Sequence, residues 1–454
     1  MNPEQPAIII APQPRPIFMT TNIDTSQATP PAISFSDALT VWIKIGFLSF
    51  GGPAAQISLM HRMVVEERGW LTERQYLNAL SFCMLLPGPE AMQLATYAGW
   101  RLHGTIGGLA AGLAFVLPGA AVVLGLSMIY ASFGNVPFVE AIFLGVKAAV
   151  LVIVIEALLR IAKRALSGTE AWIIAALSFV GIFFLALPYP LIVLAAAIWG
   201  YLRAGGTIDA SAPPPEKLED SLAGTLGTIA LWLVIWILPL LALGLILGFD
   251  HKLAQLGAFF SKLAVVTFGG AYAVLAYMGQ DVVTRLGWLE AGQMMDGLGL
   301  AETTPGPLIL VTEFVGYVAA WRDGGIALGL AGAVVSLWAT FAPCFLWIFA
   351  GAPYVEWINA QPRLRGALAA ITAAVVGVIL NLGIWFGLHV FFGTVTRNEA
   401  GPLTLWTPEL ATLDWRVVVL AVLSGYLLLW RHWGIPSVLG LAAALALAMR
   451  FGLG

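Results

Sequence analysis

The chain has 454 residues, of which 59% are hydrophobic and only 10% are charged, with a formal net charge of −3. Soluble domains are typically about 25% charged, so this composition excludes an ordinary soluble protein and indicates an all-α polytopic membrane protein. Two cysteines, five scattered histidines and the small net charge give no metal cluster, no cofactor motif and no nucleic-acid surface.

Taken in order, residues 1–35 are rich in Pro, Thr, Gln and Asn and are predicted to form a flexible tail, not a secretory signal peptide. A first transmembrane repeat is predicted over 36–203, a polar linker over 204–223, a connecting helix over 224–248 and a second repeat over 249–454. These ranges hold about 13 apolar segments, namely 36–60, 76–100, 105–131, 138–160, 170–187, 188–203, 224–248, 256–280, 293–320, 325–350, 364–391, 415–431 and 434–452.

The two halves carry the same motifs in one register. The matched pairs are Lys44-x5-Phe50-Gly51-Gly52 with Lys262-x5-Phe268-Gly269-Gly270, Gly69-Trp70 with Gly287-Trp288, and Pro87-Gly88-Pro89 with Pro305-Gly306-Pro307. Each pair is 218 positions apart, which indicates internal duplication. Because seven segments separate the two starting points, the second copy is predicted to enter from the opposite face. Such inverted repeats with broken helices are typical of secondary transporters.

The Pro-Gly-Pro segments predict broken helices near the middle of the bilayer. Proline removes a backbone N–H and clashes with the preceding turn, and open backbone at that depth must be buried in protein or line a watery cavity. A new half-helix beginning at Pro89 or Pro307 would direct free N–H groups and a positive dipole end towards an anion. The alternative is a packing kink. Gln93 is a neutral donor for a substrate oxygen or for a neighbouring helix.

Lys44 and Lys262 occupy matched positions within apolar segments, where an ammonium is either functional or reaches an interface with its long stem. The carboxylates differ between the copies. Glu90 follows the first Pro-Gly-Pro, whereas Glu302 and Glu313 bracket the second. Each is a candidate for proton coupling, or else pairs with a lysine or caps a half-helix.

Phe50–Pro53 (F-G-G-P), Leu86–Gln93 (L-P-G-P-E-A-M-Q) and Phe115–Gly119 (F-V-L-P-G), with the duplicated F-G-G and P-G-P, resemble the chromate ion transporter family in its long-chain, two-domain form. The resemblance covers roughly 37–450. It implies a non-enzymatic bacterial inner-membrane protein with about 13 spans that exports chromate and confers chromate resistance.

The resulting hypothesis is a secondary transporter that exports a tetrahedral oxyanion dianion, chromate by resemblance, driven by the membrane potential and optionally coupled to protons. The predicted substrate-binding residues are Lys44, Phe50, Gly51, Gly52, Pro87, Gly88, Pro89, Gln93, Lys262, Phe268, Gly269, Gly270, Pro305, Gly306 and Pro307. The distribution of Lys and Arg predicts a cytoplasmic N-terminus and a periplasmic C-terminus. The alternatives are a sulfate or molybdate importer on the same scaffold and, remotely, an intramembrane lipid-modifying enzyme. The expected partners are the oxyanion and the lipid bilayer, with a homodimer as a further option.

Overall fold

The computed structural model describes residues 33–134, 136–205, 222–266, 268 and 271–452. Most of the predicted tail and of the polar linker, together with Gly269 and Gly270, lies outside the described residues. The α-helices are α1 (Phe35–Leu48), α2 (Gly52–His61), α3 (Glu73–Leu85), α4 (Glu90–Phe133), α5 (Pro137–Ala165), α6 (Thr169–Phe183), α7 (Tyr189–Arg203), α8 (Leu222–Leu247), α9 (Lys252–Val266), α10 (Ala271–Gln280), α11 (Ala291–Thr303), α12 (Val311–Gly351), α13 (Val355–Asn359), α14 (Pro362–Phe391), α15 (Trp415–Gly425) and α16 (Ile435–Phe451).

Short elements complete these helices. One π-helical stretch each continues α2, α10 and α15, over Arg62–Glu66, Asp281–Arg285 and Tyr426–Trp430. Strands β1 (Val395–Ala400) and β2 (Leu403–Pro408) form an antiparallel hairpin in which Val395 pairs with Pro408.

Helical stretches long and apolar enough to cross a membrane bear out the all-α membrane class. Among the described residues they number five, at Glu90–Phe133, Pro137–Ala165, Leu222–Leu247, Leu308–Asn359 and Pro362–Phe391. Helical backbone satisfies its hydrogen bonds within the segment, as the bilayer requires. The protein is therefore a multi-pass membrane protein.

Helix α4 is two helices joined by a sharp turn at His103 (φ −137°) and Gly104 (φ +61°). A Cβ on Gly108 would lie 3.0 Å from the carbonyl oxygen of Thr96, so the chain folds back on itself. We call 90–102 the short arm and 105–133 the long arm of α4. Helix α12 turns in the same way at Gly325 (φ +67°), which gives a short arm over 311–323 and a long arm over 326–351.

The Pro-Gly-Pro segments are the tips of helical hairpins. In the second copy, Gly297 of α11 packs directly against the ring of Phe314 on the short arm of α12, so these two helices run side by side on either side of the tip. In the first copy, Phe82 of α3 packs on Gly351, and Phe349, less than one turn earlier, packs on Gly108 beside the short arm of α4.

Helices α1 and α2 form a further hairpin around the first Phe-Gly-Gly. The ring of Phe35 contacts His103 at 5.6 Å, so α1 begins at the outer end of the α4 turn. Helix α2 returns to the same end, where His61 hydrogen-bonds Glu73 at 2.7 Å. We call this end of the molecule the first face. Lys252 at the start of α9 pairs with Asp323 at the α12 turn, which marks the second face in the same manner.

The long arms of α4 and α12 form the centre of the molecule and run antiparallel. Gly108 packs against Phe349, and Gly112 packs against Phe345 one turn away on each helix. Helices α15 and α16 pack on α5, α6 and α7 pack on α14, and α8 packs on α12. The hairpin tips at Pro87–Pro89 and Pro305–Pro307 are themselves buried in protein, as open backbone inside a membrane must be.

Candidate functional site

Each Pro-Gly-Pro tip ends one helix and starts another. Helix α3 ends at Leu85 and α4 begins at Glu90, with Gly88 between them in the left-handed region (φ +122°). The side-chain amide of Gln93 donates to the carbonyl oxygen of Pro87 at 2.8 Å, which supplies one hydrogen bond that the proline-broken backbone lacks. In the second copy, α11 ends at Thr303 and a short 3₁₀ turn beginning at Leu308 leads into α12.

Each tip packs against a proline kink in the long arm of the other copy. A Cβ on Gly88 would lie 2.9 Å from Sγ of Cys344, the residue after Pro343. In the same way, a Cβ on Gly306 would lie 3.3 Å from Cα of Gly119, the residue after Pro118. Both contacts leave no room for a side chain, so the tips are held close to the helix backbone of the opposite copy.

The first Phe-Gly-Gly break and the second tip are joined by hydrogen bonds. The backbone N–H of Gly306 donates to the carbonyl oxygen of Ser49 at 2.9 Å. The side chain of Gln56, which is 1% exposed, donates from Nε2 to the carbonyl oxygen of Gly306 at 2.6 Å and to that of Ser49 at 3.3 Å. Gln56 therefore links a broken helix of one copy to the broken helix of the other.

The first residues of four helices surround one small cavity, which we call the four-helix cavity. Its lining comes from the start of α2, the start of α4, the start of α10 and the helical turn that leads into α12, through Pro53, Gln56, Pro89, Glu90, Ala91, Ala271, Pro307 and Leu308. The first turn of a helix has backbone N–H groups without helical partners and carries about half a positive charge. Four such ends meeting at one point amount to about two positive charges.

The four-helix cavity is nearly closed in this conformation. The volume open to the centre of a water molecule is about 10 Å³, which is the room of about one water molecule. A tetrahedral oxyanion is several times larger, so its entry requires the four helix ends to move apart.

The predicted substrate-binding residues separate into groups. Pro89 and Pro307 line the four-helix cavity, whereas Pro87, Gly88, Gln93, Pro305 and Gly306 form the tips behind it. Phe50 and Gly51 line a second cavity, described below, and Gly52 lies between the two cavities as the first residue of α2. The carbonyl oxygen of Phe268 accepts a hydrogen bond from the hydroxyl of Tyr189 at 3.1 Å.

Lys44 and Lys262 have exposed side chains and line neither of these two cavities. The ammonium of Lys262 lies 5.7 Å from the centre of the Tyr277 ring, a cation–π contact. Their role as compensating charge stays a prediction.

The three predicted carboxylates occupy different environments. Glu90 lines the four-helix cavity at the start of α4. Glu302 is 5% exposed and accepts a hydrogen bond from the hydroxyl of Tyr272 at 2.9 Å. Glu313 is 1% exposed, and its Oε2 has no hydrogen-bond partner among the described residues.

Sequence reasoning missed several buried polar groups. Gln56 is one, and a second set joins Asp296 of α11 to Lys147 of α5 at 3.3 Å and to the hydroxyl of Tyr130 at 2.8 Å. Gln56 and Asp296 are polar side chains inside apolar segments that hold a break. A polar residue in a broken apolar segment could therefore have pointed to both. The same pattern also selects Lys44, whose side chain is exposed in the structure.

The chain is similar to known transport proteins along most of its length. The family model described as chromate transporter matches residues 36–201 and 254–448, one region in each half. A chromate transport protein of Cupriavidus metallidurans is 31% identical over 353 residues, which is 77% of this chain and 82% of that protein. A chromate transport protein of Pseudomonas aeruginosa is 33% identical over 363 residues, or 78% and 82% of the two chains. A probable chromate transport protein of Synechococcus elongatus is 30% identical over 359 residues, or 78% and 86%. No solved structure matches the chain.

Proposed function

Because the chain belongs to the chromate transporter family, we propose that it is a secondary transporter that exports chromate, a tetrahedral oxyanion dianion, across the bacterial inner membrane. The meeting of four helix N-termini at one buried cavity carries this proposal. Their combined positive charge of about two matches a dianion. Backbone N–H groups bind an oxyanion without an ionisable ligand that would have to be kept charged inside the membrane.

We propose an inverted arrangement of the two copies, with fewer full crossings than the 13 segments suggest. The antiparallel packing of the long arms supports it, as does the opening of the first-copy hairpins and second-copy hairpins towards opposite faces. We propose that three of the 13 apolar segments, 36–60, 76–100 and 293–320, are hairpins that return to their own face. Transporters built from such repeats alternate by moving one repeat against the other around a fixed central site.

The first face is proposed to be cytoplasmic, which puts the start of α1 inside and the C-terminal end of α16 in the periplasm. The described Lys and Arg residues at the first face are Arg62, Arg68, Arg74, Arg101, Arg160, Lys163, Arg164, Arg203, Arg363, Arg365 and Arg431, and those at the second face are Lys252, Arg285, Arg322, Arg397, Arg416 and Arg450. The excess at the first face supports this orientation. A dianion leaving a negative interior gains roughly 4.6 kcal/mol per 100 mV, so export needs no coupled ion.

Glu90, Glu302 and Glu313 are the proposed sites for a coupled proton. Of the three, Glu90 lines the four-helix cavity, so its protonation would change the net charge of the site directly. Lys44 and Lys262 keep a proposed role as compensating charge. The variant Lys44→Gln tests that role. Weaker protection from heat by chromate would support it, whereas unchanged protection would assign the lysine to the membrane interface.

Chromate flux into everted vesicles under an imposed potential tests the function. We expect accumulation that follows an inside-positive potential, and accumulation that ignores both the potential and the pH gradient would contradict the mechanism. Sulfate and chromate share charge and shape, so a sulfate or molybdate importer is the second candidate. Flux of labelled sulfate that exceeds chromate flux and depends on coupled cations would favour that function.

A further inference from the structure

A cavity of about 400 Å³ opens beside the first Phe-Gly-Gly break. Its lining includes Phe50 and Gly51 of the break, Glu156 and Arg160 near the C-terminal end of α5, and His432 and Gly434 in the loop between α15 and α16. We call this cavity the vestibule. It lies towards the first face, because α5 ends there at Ala165 and the Arg160 side chain is exposed.

The vestibule has the chemistry of an oxyanion site. The planar guanidinium of Arg160 can donate two parallel hydrogen bonds to a tetrahedral oxyanion. The N-terminus of α16 opens into the same cavity at Gly434 and Ile435, which adds free N–H groups and a positive dipole end. His432 adopts a left-handed backbone conformation (φ +54°) in the loop that lines the cavity.

We propose that the vestibule is a second oxyanion site, in which Arg160 binds the tetrahedral dianion before the dianion enters the four-helix cavity. This inference rests on the proposed function. The two cavities lie next to each other along one short stretch of chain, because Gly51 lines the vestibule and Pro53 lines the four-helix cavity. A Cβ on Gly52, between them, would lie 4.0 Å from the hydroxyl of Tyr272, which donates to Glu302. Gly52, Tyr272 and Glu302 therefore form the partition that an anion must pass.

Glu156 competes with the substrate in this arrangement. Its carboxylate forms an ion pair with Arg160 one turn away on the same helix face. An exposed pair of this kind is weak, so an oxyanion displaces the carboxylate from the guanidinium at little cost. Removing the Glu156 charge should therefore strengthen binding in the vestibule, and removing the Arg160 charge should weaken it.

Chromate uptake into everted vesicles that contain the full chain tests this proposal. For Arg160→Gln we expect the KM for chromate to rise about tenfold or more with kcat largely retained, since one charge-assisted bidentate contact is lost. Glu156→Gln should lower KM, and Arg160→Lys should recover part of the affinity. Arg164→Gln is the matched control, because Arg164 lies one turn further on the same helix and does not line the vestibule.

A purely structural ion pair gives a different pattern. Arg160→Gln and Glu156→Gln would then impair transport to the same extent, and the double variant would restore it. The proposal requires the double variant to behave like Arg160→Gln alone. An unchanged KM in Arg160→Gln, with normal flux by the parent protein, would refute the vestibule site and leave the proposed function standing. Absence of chromate flux in the parent protein would refute the proposed function itself.

Discussion

The hydrogen bonds of Gln56 join the two copies at their tips, so replacing this side chain tests whether the joined tips are needed for transport. Gln56→Leu keeps a similar volume but removes both donors, and the carbonyl oxygen of Gly306 loses its 2.6 Å partner in a site that is 1% exposed. An unsatisfied buried carbonyl costs about 1–3 kcal/mol. If transport requires the docked tip, the same free energy appears as a loss of about 5- to 150-fold in kcat/KM for chromate.

The assay is chromate flux in vesicles together with the rise in Tm that chromate causes in the detergent-solubilised protein. Gln255→Leu is the matched control, because Gln255 also donates from Nε2 to a backbone carbonyl oxygen, that of Asp250 at 3.0 Å, but at an exposed site. We expect the control to keep both signals. Full flux and full chromate protection in Gln56→Leu would show that the contact between the tips is dispensable, and the four-helix cavity would lose its principal support.

Two further predictions concern the first tip and the buried ion pair. Gly88→Ala should abolish transport, because its Cβ would lie 2.9 Å from Sγ of Cys344. Gly69→Ala is the control: Gly69 also has a positive φ, but nothing lies within 4 Å of its Cβ position, so this variant should lose only stability. Equal chromate flux in the two variants would contradict the packing of the tip. Lys147→Met should leave the buried Asp296 carboxylate without its ion-pair partner and destabilise the protein by about 1–3 kcal/mol. Glu140→Gln, at an exposed pair, should cost less than about 1 kcal/mol. Thermal unfolding measures both, and similar losses in the two variants would contradict the burial of Asp296.

The sequence predicts the breaks and the duplication because neither depends on how the helices pack. Proline cannot continue a helix in any environment, so Pro87 and Pro305 mark helix ends without knowledge of their neighbours. The constant spacing of 218 positions follows from the chain alone. The structure shows the same spacing where the two copies share no sequence motif: the capping box at Thr72 and Gln75 recurs at Glu290 and Gln293.

The path of the chain between the breaks could not be predicted in this way. A Pro-Gly break fits both a broken span and a hairpin, and the difference depends on whether Gly297 meets the ring of Phe314 across the tip. Whether a polar side chain is buried could not be predicted from the sequence either. Lys44 and Gln56 both interrupt apolar segments, yet one side chain is exposed and the other bridges two copies. Only the packing of helices distant in sequence separates these cases.

The two copies differ at their Phe-Gly-Gly breaks, and the difference defines the conformation that the proposed transport cycle starts from. At the first break the vestibule is open beside Phe50. At the second, Tyr189 donates to the carbonyl oxygen of Phe268 and stacks on Tyr277 with ring centres 5.4 Å apart, so aromatic side chains pack beside Phe268. A transporter that alternates between two faces requires one of its two related copies to be more accessible than the other at any one time.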